Sequence, residues 1–204
     1  MEHAYTRFGL LRHAKTIWNQ EHRIQGSGDS PLTDEGKETS RRWGAFLKTM
    51  TPPWQKIVVS PLPRAQTTAA IINEFLELPV EIDEELREMN WGAWEGMSLP
   101  ELKSQAPAEL ARQIEAGWEF RAPSGESRTE MLHRVRAALL RHQSGASQHI
   151  LIITHLGVIN ALLRHIEGRD YLPSEPKIAW KNRMHIISAD QGSLAIEQLN
   201  IEPL

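Results

Sequence analysis

Cysteine is missing from all 204 residues, so disulfides, thiolate metal centres and a cysteine nucleophile are excluded. No apolar run approaches the ~20 residues a membrane helix needs. The N-terminus lacks a basic region followed by a long apolar stretch, so neither a membrane span nor a secretory leader is expected. An excess of one charge is also lacking: 23 Lys and Arg against 26 Asp and Glu leave a formal net charge of −3. Without an overall basic field, nucleic acid is not an expected partner, and an anionic ligand would need a local basic pocket. Repeats and low-complexity segments are absent. What remains predicts one cytoplasmic domain over residues 1–204, 40% hydrophobic and long enough for a sizeable core with a small cap.

The chain is organised around Phe8-Gly9-Leu10-Leu11-Arg12-His13-Ala14-Lys15-Thr16-Ile17-Trp18-Asn19. Residues 5–12 read as a buried strand that stops at Arg12-His13, and ligands of open α/β sheets bind outside the carboxyl ends of strands. Arginine offers a rigid, permanently charged fork for phosphate oxygens. Histidine can act as a neutral nucleophile or a proton carrier near neutral pH. Asn19 follows at a distance that could return its amide to the same pocket. The bland reading of the pair alone is an exposed strand end.

Residues 14–32 read as a loop containing Arg23-Ile24-Gln25-Gly26. Thr33 caps a helix with Asp34 and Glu35 in its first turn. This helix runs to about Thr49, with Trp43, Phe46 and Leu47 on one face. A short strand, Ile57-Val58-Val59, ends in Ser60-Pro61-Leu62-Pro63-Arg64 and turns into a helix through about Leu76. A cation such as Arg64 in a helix's first turn opposes the helix dipole, which points to an anion nearby. Val80-Glu81-Ile82 reads as an edge strand, and 86–96, with two Trp and two Gly, as a structured loop. Residues 98–120 read as short helices broken by Pro100, Pro107 and Gly117, a candidate cap, and 126–142 as an amphipathic helix with Met131, Val135, Ala138 and Leu139 inward. The run 149–155 is strand-like and ends in His155; a helix follows to about Ile166, and Arg183–Asn200 reads as two strands around a turn. Strands alternating with helices predict an α/β fold with a mainly parallel sheet. Its strand ends would then gather Arg12, His13, Arg64 and His155 into a dry cationic pocket suited to a phosphoryl dianion.

These residues resemble the histidine phosphatase superfamily in its phosphoglycerate mutase-like branch. Arg12-His13-Ala14 and Trp18-Asn19 match its first signature. Arg23-Ile24-Gln25-Gly26 with Pro31-Leu32-Thr33 matches its phosphate loop, and Ser60-Pro61-Leu62-Pro63-Arg64-Ala65-Gln66-Thr67 its second signature. Leu86-Arg87-Glu88 with Trp94-Glu95-Gly96, Pro123-Ser124-Gly125-Glu126-Ser127 and Thr154-His155 complete the order. The resemblance covers nearly the whole chain. It implies a three-layer α/β/α sandwich around a mostly parallel mixed sheet, with a helical cap at about 97–122. It further implies His13 as nucleophile, becoming a phosphohistidine, and Arg12, Arg64 and His155 on the phosphoryl oxygens. Asn19, Gln25 and Gly26 join the substrate site, and Glu88 is the general acid and then the base. Glu88 must carry a proton at the moment of transfer, which a neighbouring phosphate dianion favours. No metal or other cofactor is expected, because arginines and histidines supply the positive charge.

Ala14 stands where the family carries glycine; a negative φ would tolerate it. Lys15 replaces a usual glutamate: a solvated loop lysine is expected, the alternative being a cation at the mouth that favours multiply charged substrates. Leu156 stands where many relatives have glycine. His3, His22, His133, His142, His149, His165 and His185 show no metal-ligand spacing. Each is expected at the surface or locally satisfied, with His22 bordering the pocket. Trp43 and Trp118 read as packing; Trp91 and Trp94 either shape the pocket or anchor their loop. The expected activity is hydrolysis of a small phosphorylated metabolite, with α-ribazole 5′-phosphate, fructose 2,6-bisphosphate, phosphoserine and 3-phosphoglycerate as candidates by resemblance. A phosphoglycerate mutase is the alternative, and a non-catalytic binding module is the alternative from another class. A homodimer is a candidate assembly, since dimers occur in the family and the C-terminal strands could pair across an edge.

Overall fold

The computed structural model describes residues 5–143 and 147–203; His3 lies outside them. Strand β1 (Thr6–Arg12) is followed by a single helical turn, α1 (Ile17–Gln20), and by α2 (Asp34–Lys48). Then come β2 (Lys56–Val59), α3 (Pro63–Leu76) and the short edge strand β3 (Val80–Ile82). Two 3-10 turns, Glu84–Leu86 and Gly92–Trp94, structure the next segment. Helices α4 (Leu99–Gln105) and α5 (Pro107–Glu115) with a third 3-10 turn, Gly117–Glu119, form the inserted helical piece. The chain closes with α6 (Arg128–Arg141), β4 (Gln148–Thr154), α7 (Leu156–Ile166), β5 (Met184–Asp190) and β6 (Ser193–Ile201).

The six strands form one sheet in the order β3-β2-β4-β1-β5-β6. The first four are mutually parallel, and β5 and β6 run antiparallel at one side. The period-2 alternation of strands sorts side chains into two cores. Leu11, Ile57, Val59, Leu151 and Ile153 meet Trp43 and Leu47 of α2 and Ala69 and Ile72 of α3. Phe8, Leu10, Val58, Ile150 and Ile152 meet α6, α7 and the inserted helices through Val135, Leu139, Val158, Leu162 and Leu102. The result is the expected α/β sandwich around a mostly parallel mixed sheet. β4 is buried on both faces over Ile150–Thr154, as its continuous apolar run requires.

Local signals account for most boundaries. Thr33 caps α2 by accepting the Gly36 N–H, and Ser127 with Glu130 forms a capping box that starts α6 two residues later than the helical periodicity suggested. The main difference from expectation is α1, placed inside the segment read as loop. Thr16 and Asn19 form a reciprocal capping box there, which stabilises a turn too short to show periodicity.

Candidate active site

Three neighbouring parallel strands end side by side. Register pairs Arg12 with Thr154 and Val59 with Ile153. The ladder runs one step further: the His13 N–H donates to Thr154 O at 2.8 Å and the Ser60 N–H to Ile153 O at 3.0 Å. His13 and His155 therefore emerge at one level, with Ser60 one residue before them on the neighbouring strand. The rings of His13 and His155 lie 5.2 Å apart, close to the spacing of adjacent strands.

His13 is 3% exposed and its Nδ1 donates to Ala14 O at 2.8 Å. That bond puts the ring proton on Nδ1 and leaves Nε2 with a lone pair. Burial, and then repulsion from Arg12 and Arg64, hold its pKa well below the ordinary imidazole value. The imidazole is thus neutral and nucleophilic at neutral pH. His155 is fully buried, and its pKa is likewise lowered by burial and then by His13 and the two arginines. Ser60 Oγ lies 2.7 Å from His155 Nε2 and accepts the Leu62 N–H at 3.3 Å. When the hydroxyl donates to Nε2, the ring N–H lies on Nδ1, the nitrogen without a partner in the protein.

Arg64, at the second position of α3 and 1% exposed, is clamped by the loop before α2. It donates to Gly26 O at 2.8 Å, Gly28 O at 2.6 Å and Asp29 Oδ1 at 3.2 Å. Gly26 is needed for this loop: its φ is +53°, and a Cβ would stand 2.1 Å from Glu95 Oε1. Glu95 in turn accepts N–H groups of Ser27, Gly28 and Trp91 and ties the two loops together. Arg12 Nε, Arg64 Nε and His155 Nδ1 are buried with no hydrogen-bond partner. Buried polar atoms are rarely left so. Two guanidinium Nε–H groups and one imidazole nitrogen without partners among the described residues fit a tetrahedral anion.

A cavity of about 290 Å³ opens here. Of the residues singled out from the sequence, Arg12, His13, Asn19, Gln25, Gly26, Arg64 and Glu88 line it, while His155 sits behind its wall. Asn19 uses its Oδ1 to accept the Thr16 N–H, so its amide N–H groups remain for a ligand. Glu88 accepts the Met89 N–H at 3.0 Å through Oε1 and the Gly157 N–H at 3.3 Å through Oε2. A Cβ at Gly157 would stand 2.3 Å from Glu88 Oε1, so that glycine makes room for the carboxylate. The set holds a buried neutral imidazole, an anion cradle and a carboxyl group, which suffices for nucleophilic displacement at phosphorus with proton transfer.

Ala14 does not belong to the residues with positive φ, as expected, and its N–H donates to Thr68 Oγ1 at 3.0 Å. Lys15 pairs with Glu35 at 2.7 Å and stands with exposed His22 around a neighbouring cavity that shares Arg12 and Asn19. Trp91 lines the cavity that holds His13 and Glu88; Trp94 is buried in the core, so the two tryptophans divide the roles considered for them. Trp43 packs in the core, and Trp118 stacks edge-on against Tyr171. Of the remaining histidines, His142 is buried but paired with Asp83 at 2.9 Å. His185 departs from expectation: it is buried with Nε2 unpartnered, because β5 turns it into the sheet interior opposite Leu10. Leu156, Asn160, Arg128, Met131 and Tyr171 also line the cavity, and apart from the noted substitution at Leu156 no local sequence signal marks them. Among the described residues no cluster of three or more histidines and carboxylates is placed to hold a metal ion, and no helix is long and apolar enough to cross a membrane.

The family model for the histidine phosphatase superfamily (branch 1) matches residues 8–202. The chain is 35% identical over 162 residues to the uncharacterized phosphatase PhoE of Bacillus subtilis (strain 168), covering 79% of this chain and 77% of that one. It is 32% identical over 160 residues to the probable phosphoglycerate mutase GpmB of Erwinia tasmaniensis, covering 78% and 74%. Among solved structures, the alpha-ribazole phosphatase from Shigella flexneri superposes with a TM-score of 0.76 at 25% identity, covering 96% of each chain.

Proposed function

This chain belongs to the histidine phosphatase superfamily (branch 1), and from that membership we propose that it hydrolyses a small phosphorylated metabolite through a phosphohistidine, without a metal. The carrying observation is the set of buried, unpartnered nitrogens of Arg12, Arg64 and His155 around the neutral His13. In this reading the phosphoryl oxygens bind Arg12, Arg64, His155 Nδ1 and the Asn19 amide, with Gln25 and Gly26 closing the loop side. His13 Nε2 attacks phosphorus, the bond to the ester oxygen breaks, and Glu88 gives its proton to the leaving alcohol. Water then attacks the phosphohistidine, Glu88 takes a proton from it, the P–N bond breaks and phosphate leaves. A covalent intermediate divides one difficult displacement into two. The arginines meet charge on the equatorial oxygens as the phosphoryl group transfers.

The substrate of this reading is a soluble metabolite of the cytoplasm, and the whole chain is one domain with a cap at about 97–122. α-Ribazole 5′-phosphate is the finer candidate, supported by the aromatic rings of Trp91 and Tyr171 on the cavity wall and by the Shigella flexneri neighbour. The mutase reading has support from the GpmB relative and requires that water be kept from the phosphohistidine. Purified protein incubated without added metal with α-ribazole phosphate, sugar bisphosphates, phosphoserine and both phosphoglycerates, beside its His13→Ala variant, tests all of this. Phosphate release that is lost in the variant supports the hydrolase. Interconversion of the phosphoglycerates without release supports the mutase, and neither result, with the protein folded, supports a binding module.

A further inference from the structure

The wall of the cavity away from the phosphoryl cradle holds a cation that the reaction above does not use. Arg128, the first residue of α6, is half-buried and lines the same cavity as His13 and Glu88. Its guanidinium lies between two rings, 4.3 Å from the centre of Phe120 and 3.9 Å from that of Tyr171. Nη1 donates to Gly117 O at 2.8 Å and Tyr171 O at 3.2 Å. These contacts fix the plane of the group. Among the described residues, no carboxylate lies within ion-pair distance of it and no acceptor meets Nε or Nη2. Arg164, 5.0 Å from the centre of the Tyr171 ring, also bonds only to carbonyls among the described residues, those of Asp170 and Pro176. Joining the Gly117 turn to the Tyr171 segment explains Nη1 alone. It does not explain a second, pre-oriented N–H edge on a partly desolvated cation without a counter-ion, which is costly to hold and suited to carboxylate or phosphate oxygens.

We propose that Arg128 is a second anion site and selects phosphomonoesters whose alcohol carries a further carboxylate or phosphate. The proposal rests on the phosphomonoesterase reading of the same cavity. The transferred phosphoryl group sits on Arg12 and Arg64, the second anion meets Arg128 beside Tyr171, and Glu88 serves the ester oxygen between them. A neutral alcohol such as α-ribazole leaves Arg128 unpaired, so the two substrate readings separate experimentally.

The test uses the full chain and two matched pairs: 3-phosphoglycerate against glycerol 3-phosphate, which adds a carboxylate, and fructose 1,6-bisphosphate against fructose 6-phosphate, which adds a phosphate. Wild-type kcat/KM is expected to favour the dianchored member of at least one pair by about 10- to 100-fold, the scale of a charge-assisted hydrogen-bond pair. The pair that responds identifies the anion. Arg128→Gln is expected to collapse that ratio, chiefly through KM, and Arg128→Lys to restore part of it. Absence of a wild-type preference, or equal losses on both members in Arg128→Gln, overturns the proposal and leaves Arg128 a clamp. If Arg128→Gln does not fold, the wild-type preference and the Arg128→Lys ratio decide. If the wild type releases no phosphate from any of these compounds or from α-ribazole 5′-phosphate, the phosphatase reading fails instead. Calorimetric binding of 3-phosphoglycerate and glycerol 3-phosphate to the same protein then still measures the preference.

Discussion

The two ends of the cavity are built in different ways. At the proposed phosphoryl end, His13 and His155 leave adjacent parallel strands at one level with Ser60 one residue before them, and the main-chain ladder sets their positions. At the other end, Arg128, Tyr171, Asn160 and Trp91 come from a helix start, a long connection, a helix flank and a loop. Side-chain contacts such as the Phe120–Arg128–Tyr171 stack hold them there. Sheet hydrogen bonds place atoms with little freedom; stacked side chains on connections adjust more readily. In the proposed reading, chemistry sits on the rigid end and selection on the adaptable one.

The largest effect that could break this division is loss of the nucleophile. His13→Ala should lower kcat by about 10⁴-fold or more on every substrate alike, and acid-labile phosphate label on the protein should vanish. Residual turnover with retained label would move the nucleophile elsewhere. Gly157→Ala comes next: the helix accepts alanine, but its Cβ displaces the Glu88 carboxyl. A loss of about 100-fold is expected on alkyl phosphates, within the range for general acid catalysis, and much less on 4-nitrophenyl phosphate, whose leaving group needs no proton. An equal loss on both would place Glu88 outside proton transfer.

Ser60→Ala should cost about 10-fold in kcat, the worth of one hydrogen bond that orients a buried ring. The inhibition constant of inorganic phosphate should rise in parallel, because the His155 N–H is no longer directed at the oxygens. A fall in kcat with unchanged phosphate inhibition would contradict that role.

The smallest effect concerns stability. His185, which does not line the cavity and pairs with Leu10 in the sheet, has its pKa lowered by burial from 6.5 to about 4. Between those values the unfolded chain binds the proton and the folded chain does not. Its contribution is therefore complete above about pH 6.5 and is lost as pH falls, by up to ~1.4 kcal/mol per pH unit. His185→Gln should flatten the fall of melting temperature between pH 6.5 and 4 without altering substrate preference. An unchanged slope would assign acid sensitivity to His13 and His155.

The same contrast explains what was legible in the sequence. Arg12-His13, the Ser60–Arg64 turn and Thr154-His155 each follow an apolar run directly, so periodicity located both the strand and the polar groups that gather at its end. Glu88 and the Gly26 loop were recognisable only as parts of a family pattern. Arg128 and Tyr171 carry no such signal: one follows an N-cap serine, the other lies in a connection, and their meeting depends on how α6 and α7 pack. Ser60 was visible as a residue but not as the partner of His155, since that contact spans 95 positions in the chain. The α1 turn was missed because four residues cannot display a helical repeat.

The 5.2 Å between His13 and His155 has a consequence for descent. The sheet serves as a ruler whose unit is the strand spacing, and every heir to this fold receives that unit ready-made. Substitutions at Arg128, Tyr171 or Leu156 leave the ruler untouched. On the proposed reading, a lineage can therefore try new metabolites one residue at a time without relearning how to move a phosphoryl group.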